Sequence, residues 1–230
     1  LRGRPEVFGS CGAAAGMIAR SDETWPVWSA AESEDFILRP GLRPACAVAE
    51  PDRNRLAQVG VNTLLAVRST TRPGVSPRTL AASSSGCPDW RFLSARRLVL
   101  FITASIERGT RWLLYERNAP PAWQRAQAQV EAFLDSLDRQ GAFAGSTSEE
   151  SYFVITDDRV NEERTLAEGK VKILFGYALT RPGDFHAWVL THQPGGSHCL
   201  KASPNRLTTS GRRLEWEIEP AVLRGIKHKP

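Results

Sequence analysis

The chain has 230 residues, of which 41% are hydrophobic and 24% charged, a balance that excludes a collagen-like, wholly disordered or cysteine-scaffold protein. No apolar run exceeds five residues, far short of the ~20 that cross a bilayer. The formal charge is +5, but residues 201–230 hold seven Lys/Arg against three Glu, while the first 200 carry 23 basic and 22 acidic side chains, so the excess belongs to the tail. A nucleic-acid groove places its basic stripe on the folded body, and nucleic acid is therefore not an expected partner.

In chain order, residues 1–10 read as a non-globular arm, and residues 12–20 (GAAAGMIAR) predict a short helix of small residues. Trp25-Pro26-Val27-Trp28 marks an aromatic loop, and prolines interrupt residues 32–51. A helical turn over 52–59 ends at Gly60, and Val61 to Val67 predicts a strand closed by the turn-rich residues 68–77. Asp89 is the expected N-cap of a helix over 90–108 ended by Gly109. Its apolar side chains point almost all round, which predicts burial on more than one side. Trp112-Leu113-Leu114-Tyr115 reads as a strand.

Asn118 with Pro120-Pro121 starts a second helix that runs to Gln140 and stops at Gly141. Trp123, Ala126, Val130, Phe133, Leu134 and Leu137 fall within one arc of it. The far side splits into a flat basic strip, Arg125 and Arg139 with Ala128, Ala132 and Ser136 between them, and an acidic strip of Gln124, Glu131, Asp135 and Asp138. Such a face is either an ordinary solvated surface or a partner-binding one.

Three strands follow, over 151–156, 170–179 and 185–191, the last two joined by the compact link Arg181-Pro182-Gly183-Asp184. The charged stretch 157–169 between the first two is expected to be a surface excursion, with Asp157-Asp158 suited to capping a turn rather than to holding Mg²⁺. Gln193-Pro194-Gly195-Gly196 ends the body. Beyond it Leu214, Trp216 and Ile218 alternate with Glu215, Glu217 and Glu219, an amphipathic strand that must pair within its own chain or with another. The expected class is α/β (α+β), a mixed β-sheet flanked by helices. Its parts are an arm over 1–10, a body over 11–194, and an extension or strand-donating arm over 195–230.

No phosphate-binding loop, dinucleotide fingerprint, G-x-S-x-G, H-E-x-x-H or kinase motif occurs. Gly9-Ser10-Cys11-Gly12 superficially resembles a nucleophile turn, but the first histidine after it, His186, is 175 residues on. Cys11, Cys46, Cys87 and Cys199 are widely separated and read as reduced, mostly buried thiols. His186, His192 and His198 stand six residues apart, and on one strand His186 and His192 would lie ~20 Å from each other, too far to share an ion. No catalytic residue, metal or cofactor is expected.

One set of motifs has a specific likeness. Trp90-Arg91-Phe92 with Arg96-Arg97-Leu98 leads into Ile106-Glu107-Arg108-Gly109-Thr110-Arg111-Trp112, then Glu116-Arg117-Asn118, Trp123, and Arg139-Gln140-Gly141-Ala142. Upstream stand Gly12 to Trp28 and Gly60-Val61-Asn62, and downstream the strands up to Val189. In order and spacing this resembles the C-terminal domain of contractile tail sheath proteins of myophages, R-type bacteriocins and phage-derived injection systems, over about residues 9–194. The family's tryptophan before R-Q-G-A is Asp138 here.

The resemblance implies a structural polymer assembled in the bacterial cytoplasm around an inner tube. Its partners would be copies of itself or a sheath paralogue, the tube protein, and baseplate or cap proteins. Arg125 and Arg139, then Arg96 and Arg97, are the candidate tube contacts, and Leu214, Trp216 and Ile218 the candidate inter-subunit strand. A sheath-like terminal, collar or baseplate adaptor is the alternative within the family. An enzyme with a hidden site and a basic nucleic-acid-binding domain are the alternatives outside it.

Overall fold

The computed structural model describes residues 6–29, 38, 41–64, 77–83, 88–204 and 216–218. The chain divides into two compact units, Leu1–Phe101 and Ile102–Pro230.

In the first unit, α1 (Ser10–Thr24) runs longer than its small-residue motif and buries Met17 and Ser21, four residues apart on one face. α2 (Glu50–Gln58) starts on Pro51 and ends where Gly60 takes a φ of 82°. Residues 61–64 do not form the expected strand, and 65–67 lie outside the described residues. Asn62 explains why. Residues 77–79 pair with 91–93 along one edge: Arg78 bridges Phe92, the Thr79 N–H donates to the Arg91 carbonyl at 2.8 Å, and the Leu93 N–H donates to the Pro77 carbonyl at 2.9 Å. Backbone groups alternate in direction along an extended chain, so those of Arg78 face the other way. The Asn62 carboxamide meets both, Nδ2 donating to the Arg78 carbonyl at 2.8 Å and Oδ1 accepting its N–H at 2.7 Å. One side chain thus does what a neighbouring strand would have done.

Gly60 is needed for that approach, because a Cβ there would lie 2.6 Å from the Thr79 carbonyl oxygen. Gly60→Ala is expected to cost about 1–2 kcal/mol from left-handed backbone alone, with the displaced carbonyl adding to it. Asn62→Asp, which turns a donor into a second acceptor facing the Arg78 carbonyl, is expected to cost about 0.5–1.5 kcal/mol. Thermal unfolding of the two variants checks both the sizes and their order.

α3 (Leu93–Gly109) begins later than the Asp89 cap predicted. Residues 88–91 form a 3-10 turn, and Phe92 is held in the bridge to Arg78. The division between the units falls inside this helix. Leu98, Val99, Ile102 and Ile106 are buried along one side, while Leu100 and Phe101 stay exposed, so the expected burial on more than one side is not found.

The second unit is built on α4 (Pro120–Arg139) and an antiparallel sheet. α4 follows its pattern closely: Ala122, Trp123, Ala126, Val130, Leu134 and Leu137 are buried, and Gly141 ends it with a φ of 75°. Asn118 does not cap it. Instead Asn118 accepts the Trp123 indole N–H at 2.8 Å and donates to the Lys170 carbonyl at 2.9 Å, tying the start of α4 to the sheet. The expected strand at Trp112 is a 3-10 turn, Arg111–Tyr115, closed by Leu113 and Glu116 N–H groups donating to the Thr110 and Leu113 carbonyls. A four-residue apolar run has no period that separates strand from turn.

β1 (Tyr152–Ile155) follows a single helical turn, α5 (Ser148–Ser151), and pairs with β2 (Val171–Ala178). β2 pairs with β3 (Phe185–Gln193) through the predicted 181–184 link. The turn at 193–196 does not end the body: it leads into β4 (Gly196–Pro204), paired with β3. β5 (Trp216–Ile218) adds to β4 as the fifth strand, in the order β1-β2-β3-β4-β5. Helices with a sheet are the expected class, but each described pairing is antiparallel where a mixed sheet was expected. The links between β2 and β3 (179–184) and between β3 and β4 (194–195) are too short for a parallel crossover.

The sheet is buried on both faces. Ile173, Phe175 and Tyr177 line one, where Phe143 stacks on Tyr177 with ring centres 5.6 Å apart and α4 packs against β1. Leu174, Ala187, Val189 and Ala202 line the other, with Phe153 and Ile155 of β1 and Val160 packed against them. Gly176 sits under the Phe153 ring, where a Cβ would collide with it.

The charged stretch between β1 and β2 is indeed on the surface, with α6 (Glu163–Ala167) inside it, but it is pinned from within. Asn161, 2% exposed, donates to the Thr156 carbonyl at 2.8 Å and the Lys172 carbonyl at 3.0 Å and accepts the Lys172 N–H at 2.7 Å. Asp157 caps the turn by accepting the Arg159 N–H, and the Arg159 guanidinium on its carboxylate holds that carboxyl below its usual range.

Candidate assembly surfaces

Among the described residues no three His, Cys, Asp or Glu are placed to hold a metal ion. Cys11 and Cys46 are exposed rather than buried, and Cys87 lies outside the described residues. Burial pushes the Cys199 thiol up to about 12, with Glu107 adding to it, so it is no nucleophile at neutral pH.

His192 is 1% exposed and holds the start of the 3-10 turn to the sheet. The Thr110 hydroxyl donates to the Ile106 carbonyl at 2.6 Å and can only accept from His192 Nε2 at 2.8 Å. Nε2 therefore carries the imidazole proton, and Nδ1 accepts from the Ser197 hydroxyl at 2.6 Å. Burial lowers the His192 pKa below its ordinary value, Glu107 opposing and Arg111 assisting. A histidine held neutral contributes stability in full above its unfolded pKa of about 6.5, and loses it as pH falls from there toward the lowered folded value. His198, also lowered by burial, acts with the same sign. Denaturant midpoints should therefore fall between pH 7.5 and 5, and fall less in His192→Gln. An equal fall in both proteins would contradict the assignment.

The arginines that the sequence singles out are unequally available. Arg97 grips both oxygens of Asp22 at 2.7 and 2.6 Å and joins α3 to α1. Arg96 lies over the Trp90 ring, 4.6 Å from its centre. Both sit in the first unit as internal ties. On α4, residues 125, 128, 132, 136 and 139 are all exposed; of the acidic strip beside them Gln124 is exposed and Glu131, Asp135 and Asp138 are half-buried. Arg139, with 78% of its side chain exposed, pairs only locally with Asp135, one turn back.

Arg125 is built into the structure more deeply. Its guanidinium lies 4.0 Å over the Trp112 ring and donates to Glu116 at 2.8 Å. Trp112 donates its indole N–H to Gln129 at 2.9 Å, and Gln129 donates to the Gly109 carbonyl at 3.0 Å. The Arg111–Tyr115 turn is thus fastened to α4 on its inner side. Spacing along the sequence did not foretell these contacts, because Trp112 and Gln129 meet only once the turn has folded back on α4.

Of the candidate strand, Leu214 lies outside the described residues, while Trp216 and Ile218 are in β5. There the backbone of Trp216 pairs with Pro204 and that of Ile218 with Ala202, so the strand completes its own chain's sheet. β1 is the edge strand at the other side of the sheet.

No protein-family model and no curated protein sequence matches the chain significantly. Solved structures do. A chain of the PVC sheath complex, an extracellular contractile injection system in its contracted state, is 27% identical at a TM-score of 0.62, over 75% of this chain and 48% of that one. A chain of the baseplate of the anti-feeding prophage (AFP) is 26% identical at 0.62, over 76% and 48%. The chain spans about half the length of the structures it matches. The resemblance read from the motifs and the likeness of fold agree: the chain is sheath-like, related to contractile phage tails, and its neighbours are structural components of injection systems rather than enzymes. No described helix is long and apolar enough to cross a membrane.

Proposed function

We propose that the chain is a structural subunit of a contractile tail sheath, polymerising around an inner tube and driving its ejection when the lattice contracts. The observation that carries this reading is the match of fold and sequence, over three quarters of the chain, to a sheath complex in its contracted state. A terminal, collar or baseplate adaptor is the second reading, favoured by the equal TM-score to the AFP baseplate chain.

Assembly would use the two ends of the sheet. A strand joined by main-chain hydrogen bonds can be supplied by its own chain or by a neighbour at similar energy, so β5 is the segment to exchange between copies, through Trp216 and Ile218. Such links hold a lattice together while its subunits rotate from an extended to a contracted packing. Contacts with the tube must release during that motion, which suits exposed charge in water better than a buried apolar face. Arg139 and Arg125 are the first residues to bear them, and Arg96 and Arg97 the second. The particle would be built in the bacterial cytoplasm, with the tube protein and baseplate or cap proteins as further partners.

Sedimentation of the purified chain with and without the inner tube protein tests this. A sheath subunit carries the tube into the pellet with the chain in regular stoichiometry along it. An adaptor pellets in small amounts set by the number of tube ends. Both proteins remaining in the supernatant would contradict either role.

A further inference from the structure

The first turn of α3 is left without a side-chain cap. Phe92 stands just before the helix and has no polar side chain to offer, the Leu93 N–H goes to the Pro77 carbonyl, and the Arg96 N–H closes on the Phe92 carbonyl. The N–H groups of Ser94 and Ala95 have no backbone acceptor among the described residues. A helix start of this kind carries a partial positive charge, roughly half an elementary charge, and favours an anion. Leu93, Ser94 and Arg97 of this turn, with Ile18 and Ser21 of α1 and with Ser29, line a small pocket inside the first unit.

The polar lining of that pocket is not satisfied by the protein. Ser21 is 7% exposed on the buried face of α1, and its hydroxyl has no hydrogen-bond partner among the described residues. The half-buried Ser29 and Ser94 hydroxyls have none there either. Hydroxyls withdrawn from water without a partner cost free energy, so three of them around one space point to a ligand in it. Arg97 adds a guanidinium. Its Nη2 is engaged by Asp22, while its Nε and Nη1 donors have no partner among the described residues.

Size and chemistry narrow the ligand. The space is about 10 Å³, enough for one water-sized sphere and too small for phosphate, sulfate or a carboxylate. The guanidinium only donates and each hydroxyl can donate, while the nearby Pro77 and Ser21 carbonyls already accept from Leu93 and Trp25. A lining of donors suits a monatomic anion better than a water. Asp22, which neutralises Arg97, and the C-terminal turn of α1 oppose it, so the site is weak, filled at millimolar rather than micromolar salt.

We propose that the pocket binds a single halide ion, chloride under ordinary conditions, held by the Ser21, Ser29 and Ser94 hydroxyls and by Arg97 at the positive end of α3. The ion caps a helix that its own sequence leaves uncapped and joins α1 to α3 beside the Arg97–Asp22 pair. This inference is independent of the sheath reading, and neither falls with the other.

Thermal unfolding of the full chain at constant ionic strength, with sodium chloride replaced stepwise by sodium gluconate, tests it, together with the NMR line width of chloride. Chloride should raise the midpoint by about 3 °C over gluconate, with an effect that saturates. Ser21→Ala should weaken chloride binding about 10-fold, the loss of one charge-assisted hydrogen bond. Ser94→Asp sets a carboxylate at the helix start, where it is itself favourable, and should abolish both the chloride dependence and the line broadening in a protein that remains folded. Equal midpoints in the two salts would overturn the proposal and leave a water in the pocket. Broadening that persists unchanged in Ser94→Asp would mark an adventitious ion only and overturn it as well.

Discussion

Trp123→Ala should lower stability by about 3–5 kcal/mol, the usual cost of removing a buried tryptophan. The side chain is 6% exposed on the buried face of α4, and its indole N–H is the partner of Asn118. Asn118 in turn holds the Lys170 carbonyl at the start of β2, so removing the ring also loosens the tie between helix and sheet. Trp123→Phe separates the two effects. It fills most of the volume but leaves the Asn118 carbonyl oxygen without its donor, and should cost about 1–3 kcal/mol. Thermal and urea unfolding of both variants measure the difference. A phenylalanine variant as damaged as the alanine one would show that the hydrogen bond, not the packing, dominates. The Asn118 and Trp123 of the family-like motif are therefore explained by the fold rather than by contact with a partner.

The second large effect is expected at Asn161. Its carboxamide serves two carbonyls and one N–H from the end of β1 and from β2, in a place where water cannot substitute. Asn161→Ala leaves these groups unpaired and should cost about 3–4 kcal/mol, a large share of the ~5–15 kcal/mol that stabilises an ordinary domain. Asn161→Asp is the sharper variant. It keeps an acceptor for the Lys172 N–H but sets a buried carboxylate against two carbonyl oxygens. Burial raises the pKa of such a carboxyl, and its neutral form regains one donor. The stability deficit of Asn161→Asp relative to wild type should therefore shrink as pH falls from 7 to 4, while that of Asn161→Ala stays constant. Parallel pH profiles for the two variants would contradict the arrangement.

These two residues mark what the sequence could and could not reveal. α4 was legible because Pro120 and Gly141 bracket a single apolar arc, and its exposed strip followed from the same period. β1, β2 and β3 were legible from β-rich runs bounded by turn residues. β4 was not, since Gly196 to Pro204 mixes serine, histidine, lysine and small residues, and its strand character comes from the neighbours on both sides. Asn161 lay hidden in a run of charges that reads as solvated surface, and only the closing of β1 on β2 makes it a buried brace. Asn62 was visible as part of a motif, but its role as a substitute strand depends on a segment sixteen residues away.

The assembly surfaces divide in the same manner. Exposure of Arg125 and Arg139 follows from helix geometry, whereas the engagement of Arg125 with Trp112 and Glu116 depends on the fold. Arg96 and Arg97 looked equally free in the sequence, and Asp22 and Trp90 hold them. Of the alternation at Leu214, Trp216 and Ile218, the described part, Trp216–Ile218, is a strand, and β4 pairs with it within the chain.

Negative-stain electron microscopy of the chain, alone and mixed with the inner tube protein, tests the central claim most directly. The sheath reading predicts sleeves of regular pitch around the tube, wider than the bare tube along its length. Bare tubes beside dispersed monomers, under conditions where the tube itself is assembled, would contradict it.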